Sequence, residues 1–427
     1  MRIAIAGLGT VGAEVARQLI HENALGARVT AVSARNASRD RGFSMEGVTF
    51  VNDPVALAAR DDVDAVIELI GGEDGPALAL VEAAIAQGKP VISANKALLA
   101  RHGQRVVAAA EEAGVALAAE AAVAGGIPCL KMIREGLAGN RINRISGILN
   151  GTCNYILTTM EKTGRGFDDV LKEAQDLGYA EADPGFDIDG IDAAHKLALL
   201  AAIGFGIAPD TEAISITGIR AVKPVDIRCA ADLGYVIRLI GVAEREDGGI
   251  RMSVEPTMVP HHSALAKVDG PLNAVSVDAE PVGTITAIGP GAGAGATASA
   301  VLADLADLID GRSARFFGAP AATLAAGGAV TSVSTAVSRY YANLSVYDRP
   351  GVLADVTAVL RDAAISVESI LQHGRADDGS DGSVPVVITT HETTADAMAR
   401  AIEAIADLDS VIGRPAVMAI AAGGDDS

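Results

Sequence analysis

The first twelve residues restrict this chain more than any other stretch. Arg2-Ile3-Ala4-Ile5-Ala6 reads as a buried strand, and Gly7-Leu8-Gly9-Thr10-Val11-Gly12 follows it without a gap. A helical pattern then runs through Gly12–Ile20. In a G-x-G-x-x-G between strand and helix, the glycines allow a tight turn, close approach of backbone to a pyrophosphate, and close helix–strand packing. The helix N-terminus offers unpaired N–H groups to phosphates. The plainer alternative is a glycine-rich structural turn. The residues that follow favour the dinucleotide reading. Strand candidates Val29–Val32, Ala65–Leu69, Val91–Ser93 and Val115–Ala118 alternate with helix candidates Pro76–Gln87 and Gly103–Ala113. That rhythm predicts a parallel, doubly wound sheet of the Rossmann-like kind.

The end of the second strand decides which nucleotide is expected. An acid there would hold the ribose 2′-hydroxyl of NAD. The sequence is instead Val32-Ser33-Ala34-Arg35-Asn36, with Arg39 and Arg41 beyond. Arg35 suits a 2′-phosphate, so NADP is expected over NAD. The alternative is a solvated surface charge.

At 427 residues the chain is long for one core and predicts two or three domains. A net charge of −20 disfavours nucleic acid and anionic membrane surfaces as partners. The three cysteines, Cys129, Cys153 and Cys229, are scattered and suggest reduced thiols in the cytoplasm rather than a disulfide framework or zinc site. A strand begins at Arg2, so a signal peptide is not expected. The most apolar helix candidate, Ile191–Ile203, is too short to span a bilayer and contains Asp192, His195 and Lys196.

Residues 121–318 are mixed, with a helix near Phe167–Leu177, an apolar helix after Asp192 and a strand near Arg251–Val259. Ala319–Val330, rich in Ala and Gly, reads as a linker. From Ser338 the pattern restarts as strand Tyr340–Val346, helix Val352–Asp362, strands Ser366–Leu371 and Val384–Thr390, helix Ala395–Ala406 and strand Ala416–Ala421. That order, βαββαβ, predicts a small ferredoxin-like unit. Gly423–Ser427 is expected to fray.

The densest chemistry lies between Gly178 and Lys196. Glu181, Asp183, Asp187, Asp189 and Asp192 fall within twelve residues, on a Pro/Gly loop entering a helix. Asp192 and Lys196 are i,i+4 and share a helical face. Reduction of an aldehyde needs a proton donor for the developing alkoxide. Lys196 can supply it, with Asp192 orienting the ammonium and the other acids holding an amino-acid ammonium. A solvated Asp–Lys pair and a metal site using Asp192 and His195 remain alternatives; His195 itself reads better as structural.

Taken together, Gly7–Gly12, Ser93-Ala94-Asn95-Lys96, Asn150-Gly151-Thr152-Cys153-Asn154-Tyr155-Ile156-Leu157, the 178–196 block and Gly289-Pro290-Gly291-Ala292-Gly293 resemble the homoserine dehydrogenase family over about residues 1–318. The resemblance implies reversible NAD(P)H-dependent reduction of L-aspartate 4-semialdehyde to L-homoserine, on the way to threonine, methionine and isoleucine. It implies Lys196 as general acid/base, with Glu181, Asp187 and Asp192 binding substrate, Gly178 giving backbone and Thr152 nearby. It implies nucleotide contacts from Thr10, Val11, Arg35, Lys96 and Gly293, Lys96 also touching substrate. It further implies a monovalent-cation site, usually sodium, at Glu120, Val123, Gly125 and Ile127. Mostly carbonyls with one carboxylate suit a hard cation.

The C-terminal Val346-Tyr347-Asp348-Arg349-Pro350-Gly351-Val352-Leu353-Ala354 resembles the ACT family, which implies an amino-acid effector near Asp348 and Gly351, threonine being the candidate. The expected organisation is α/β overall. It comprises a nucleotide domain at 1–130 (completed by about 285–318), an α+β substrate and dimerisation domain at 131–284, a linker at 319–337 and an ACT domain at 338–422. Pairing of such domains implies a homodimer or tetramer. The competing readings are another amino-acid dehydrogenase and a non-catalytic amino-acid sensor; the intact glycine loop and Lys196 speak against the sensor.

Overall fold

Residues Ile3 to Ala6 are fully excluded from solvent, as an all-apolar run in a sheet covered on both faces must be. They form β1 (Arg2–Ala6), followed by β2 (Arg28–Ser33), β3 (Thr49–Phe50), β4 (Ala65–Glu68), β5 (Val91–Ser93) and β6 (Leu117–Ala118). These six pair in parallel in the order β3-β2-β1-β4-β5-β6. The order reverses between β1 and β4, which opens a crevice at the carboxyl edge of the sheet, where ligands bind in doubly wound folds. The computed structural model describes residues 1–325, 336–372 and 383–421.

The helix Thr10–Ile20 turns its Val15, Ala16 and Leu19 into the core of this sheet. Helix Ala294–Ile309 joins the same core from far along the chain with Ala298, Val301 and Leu305. The helix expected from Gly103 begins earlier, at Lys96. Asn95 caps it, its side chain accepting from Leu98 N–H at 3.1 Å. Gly103 sits within it as a packing site: a Cβ there would meet Phe317 at 3.5 Å.

The second sheet contains β7 (Arg141–Ile148), β8 (Ser215–Ile216), β9 (Tyr235–Glu246), β10 (Gly249–Pro260), β11 (Leu272–Glu280), β12 (Gly283–Pro290), β13 (Val337–Tyr347), β14 (Val367–Gln372), β15 (Ser383–Thr390) and β17 (Ala416–Ile420). The path is β12-β11-β7-β9-β10-β17-β13-β15-β14, with β8 on β10 and a short β16 (Thr393–Thr394) on β13. The last four strands with helices Val352–Asp362 and Ala395–Ala406 make the expected βαββαβ unit. Its sheet does not end at its own edge. β17 pairs in parallel with β10, Thr257 opposite Ala419 and Met258 opposite Ile420, so two domains share one continuous sheet.

A buried polar knot reinforces that seam. Asp226, fully buried, lies in helix Pro224–Asp232. It accepts from Tyr341 Oη at 3.1 Å and Asn343 Nδ2 at 2.6 Å, both on β13, and from Lys223 N–H at 3.0 Å. Burial first, then the neighbouring Asp226 carboxylate, pushes the Tyr341 phenol well above its ordinary range. Removing this hydroxyl strands part of a buried acceptor. Tyr341→Phe is therefore expected to lower stability by about 1.5–3 kcal/mol, read as a lower urea midpoint with kcat unchanged. A midpoint equal to that of the parent would show that the contact contributes nothing to the seam.

Of the stretch expected as a linker, residues 326–335 lie outside the described residues; so do Ala422, at the end of the expected ACT span, and 423–427. Its start is packed. Ala321 is fully buried, its N–H bonds Glu111 Oε2 at 2.9 Å and its carbonyl accepts from Gln104 at 3.1 Å. Among the described residues no helix is long and apolar enough to cross a membrane.

Candidate active site

The glycine loop has the shape its sequence demands. Gly7 adopts φ +95°, and a Cβ there would lie 2.3 Å from the Leu69 carbonyl oxygen. A Cβ on Gly12 would fall 1.8 Å from Gly7 O, so the helix approaches the turn as only glycine permits. Gly9 faces open space. No side chain caps Thr10–Ile20, so the N–H groups around Thr10 and Val11 stay available to an anion. These residues fit a dinucleotide pyrophosphate. Arg35 is exposed just past the end of β2. Arg41 is spent differently: its guanidinium donates to the carbonyls of Asn36 at 2.7 Å and Arg39 at 2.7 Å and braces that loop.

Lys96 opens its helix at the carboxyl end of β5. Its ammonium points toward the 178–196 block, where Nζ lies 3.2 Å from Asp192 Oδ1 and 5.9 Å from the Phe186 ring centre. The resemblance implied contact with both nucleotide and substrate, and the geometry turns its charge toward Asp192 and Phe186 of that block. Asp192 Oδ2 faces Lys196 Nζ at 2.7 Å and Asn150 Nδ2 at 2.8 Å. Lys196 also donates to Leu149 O at 2.6 Å. An ammonium has three N–H donors, so one remains for a ligand.

This pair is not solvated. Asp192 is 5% exposed and Lys196 8%. Burial alone would raise the Asp192 carboxyl; the charges of Lys196 and Lys96, with hydrogen bonds from Lys196 and Asn150, outweigh it and hold the group far below the usual carboxylate range. Both carboxylate oxygens are engaged, which leaves little for the metal pairing with His195. His195 instead packs edge-on against Phe186, ring centres 5.5 Å apart, and burial keeps its imidazole below its usual value. The described residues contain no cluster of three or more His, Cys, Asp or Glu suited to a metal.

Asp187 joins the group from the loop. Its oxygens accept from Asn150 Nδ2 at 2.8 Å and Thr152 Oγ1 at 3.2 Å. Burial raises its carboxyl, partly offset by the Asn150 hydrogen bond. The one Thr152 O–H proton is shared between the Asp187 contact and the nearer Tyr179 O at 2.8 Å, tying helix Gly151–Thr163 to the loop. Gly178 turns that loop at φ +77°, and Glu181 sits exposed on it. Sequence reasoning singled out the Asn150 motif but not Asn150 itself. Its oxygen caps Cys153 N–H at 2.8 Å, a role legible from an Asn before a helix, while its nitrogen bridges two acids distant in sequence.

The turn expected to hold a cation differs in one respect. Glu120 does not present a free carboxylate: Oε1 accepts from Leu130 N–H at 2.8 Å and Oε2 from Lys131 N–H at 3.1 Å. Burial, then the neighbouring Asp304, pushes its carboxyl up to about 7. Ala124 and Gly125 are left-handed at φ +54° and +49°. The carbonyls of Val123, Gly125 and Ile127 lie on the same turn, and each has two lone pairs, as each oxygen of the Glu120 carboxylate does. Gly293, φ +108°, precedes the uncapped N-terminus of helix Ala294–Ile309. In the C-terminal unit, Asp348 and Gly351 line a cavity of about 260 Å³ with Tyr347, Leu353 and Gln372.

Family models for the homoserine dehydrogenase NAD-binding domain, homoserine dehydrogenase and the ACT domain match residues 7–120, 128–306 and 340–407. The homoserine dehydrogenase of Pseudomonas aeruginosa is 41% identical, over 97% of each chain. The chain belongs to the homoserine dehydrogenase family. It is an oxidoreductase with the nucleotide-binding domain of that family and a C-terminal ACT domain. The crystal structure of a homoserine dehydrogenase from Thiobacillus denitrificans superposes with a TM-score of 0.91 at 41% identity, covering 99% of this chain and 98% of that one. A hyperthermophilic archaeal homoserine dehydrogenase in complex with NADPH matches at 0.63 and 25%, covering 73% of this chain and 98% of that one.

Proposed function

We propose that the protein reduces L-aspartate 4-semialdehyde to L-homoserine with NADPH, reversibly, and that Lys196 is its general acid/base. The observation that carries this is the bridge Lys96–Asp192–Lys196, which ties a buried ammonium to the carboxyl edge of the nucleotide sheet. A nicotinamide dinucleotide bound in the glycine cleft supplies the hydride. The remaining N–H of Lys196 lies on the aldehyde oxygen, stabilises the developing alkoxide and delivers the proton. In the reverse direction Lys196 takes that proton back. Gly151 and Thr152, at a helix N-terminus, offer N–H groups to the substrate carboxylate. Glu181, Asp187 and the Gly178 backbone border its ammonium.

The division of labour then follows the expected spans: 1–130 with about 285–318 for nucleotide, 131–284 for substrate and pairing, 338–422 for regulation. The ACT cavity at Asp348 and Gly351 is read as an amino-acid site, with threonine as the first ligand to try. A sodium ion on the 120–127 carbonyls would sit beside the buried acids Glu120 and Asp304, which favours a cation. The exposed Val282 and Ile288 at one end of the large sheet, and Ile370 at the other, suit a homodimer or tetramer. Three free, buried cysteines are in keeping with a cytoplasmic protein.

The test is homoserine-dependent formation of NADPH by pure protein. Absence of turnover, with and without sodium, would favour the sensor reading. The nucleotide choice has its own test. A charge-assisted hydrogen bond contributes about 1.5–3 kcal/mol, and about 1.4 kcal/mol is tenfold. Arg35→Asp is thus expected to cut the NADP-over-NAD ratio of kcat/KM by at least about tenfold. An unchanged ratio would leave Arg35 a surface charge.

A further inference from the structure

Asn273 is the second residue of β11, opposite Gly289 on β12, at the rung next to where the chain leaves the ladder for the Gly289–Gly293 loop. It is 1% exposed, and neither Nδ2 nor Oδ1 has a hydrogen-bond partner among the described residues. Buried amides are rarely left so. Its neighbours are two bare Cα atoms. A Cβ on Gly291 would lie 2.0 Å from Asn273 Cγ and 2.3 Å from both Nδ2 and Oδ1. A Cβ on Gly151 would lie 3.4 Å from Oδ1. The amide is thus held between the loop that leads to the nucleotide-side helix Ala294–Ile309 and the first residue of the helix that carries Thr152.

The same loop is pinned on its other side. Gly126 N–H donates to Pro290 O at 2.9 Å, and a Cβ on Gly125 would meet Gly291 O at 2.5 Å. The loop therefore runs straight into the nucleotide-side helix, rests on the 120–127 turn and faces the substrate helix across the Asn273 amide. An apolar side chain would fill the Asn273 site without leaving donors and acceptors unspent. An amide there costs stability unless some state of the protein uses it.

We propose that Asn273 is a positioning residue: when nucleotide and substrate bind, its amide hydrogen-bonds the backbone of the Gly289–Gly293 loop and fixes that loop against the N-terminus of helix Gly151–Thr163. This rests on the dehydrogenase reading above. The contact sets the distance between the nicotinamide side and the substrate side, to which hydride transfer is sensitive. It touches neither reactant, so it acts on kcat more than on either KM.

The test compares wild type, Asn273→Leu and Asn273→Ala. Wild-type turnover of homoserine tests the dehydrogenase reading by itself, so the two failures separate. Asn273→Leu is expected to lower kcat by about tenfold to a hundredfold, with both KM values within about threefold, since an angstrom-scale misplacement costs on that order. Its thermal midpoint without ligands is expected to match or exceed that of wild type. Hydrogen exchange gives a readout independent of turnover. NADP plus homoserine protects the amides of Gly289, Gly291, Ala292 and Gly293 in wild type, and that protection is lost in both variants. Asn273→Ala serves if the leucine fails to fold. Unchanged kcat with unchanged protection would overturn the proposal. So would a parallel loss of kcat and thermal stability in both variants, which marks a packing role only.

Discussion

Lys196→Met is expected to lower kcat for homoserine oxidation by roughly 10²–10⁴-fold, the usual contribution of a positioned acid/base. Methionine keeps the unbranched stem on an otherwise buried helix, so the change isolates the ammonium. The hole it leaves in the charge network is tolerable. Asp192 retains Lys96 at 3.2 Å and Asn150 at 2.8 Å, so the remaining carboxylate is not stranded. On the proposed reading, nucleotide binding uses Gly7–Gly12 and Arg35, while Lys196 bonds Asp192 and Leu149 O. The NADP dissociation constant, followed by nucleotide fluorescence, is therefore expected to stay within a few-fold. A loss of kcat under tenfold would move the proton to another group, with Lys96 the next to examine.

How far these features could be read without coordinates follows from the range of each interaction. The glycine loop is local: strand, turn and helix occupy consecutive residues, and steric rules leave little choice. The i,i+4 pair Asp192–Lys196 is local too, because helical spacing alone makes its members neighbours. The bridge from Lys96 to Asp192 spans nearly a hundred positions and depends on how two domains dock. Nothing in the spacing of either residue encodes it; only the family resemblance implied that Lys96 meets both nucleotide and substrate, and it did not name Asp192 as its partner. Glu120 entered only as a cation ligand implied by the family resemblance. Its use as a cap for Leu130 and Lys131 required knowing that the chain folds back ten residues later.

The joined sheet follows the same rule. The βαββαβ order is visible because each element has its own hydrophobic period. The parallel pairing of β17 with β10 uses two rungs, Thr257–Ala419 and Met258–Ile420, between strands that each look complete alone. Edge strands carry unpaired backbone groups whatever their sequence, so a partner across the domain boundary leaves no compositional mark. The Asp226–Tyr341–Asn343 knot adds side-chain specificity to that seam. Any signal from the cavity at Asp348 has a short covalent route to it, along β13 from Tyr347 to Tyr341.

Asp192→Asn is expected to cost both stability and turnover, and pH separates the two causes. The substitution keeps shape but removes the one anion shared by two ammonium groups. Removing one partner of a buried pair costs about 3–5 kcal/mol. The carboxyl is held below its unfolded value of about 3.9, so the folded state binds fewer protons than the unfolded one in that acid range. Its contribution is therefore complete above the unfolded value and is lost only as pH falls through the folded one. Urea midpoints of variant and wild type are thus expected to stay a constant distance apart from neutral pH down to about 5, and to converge only in strong acid. Activity behaves differently, because Lys196 loses the group that orients it at every pH. A stability gap that closes between neutrality and pH about 5 would mean that Asp192 is protonated there and does not brace the two lysines.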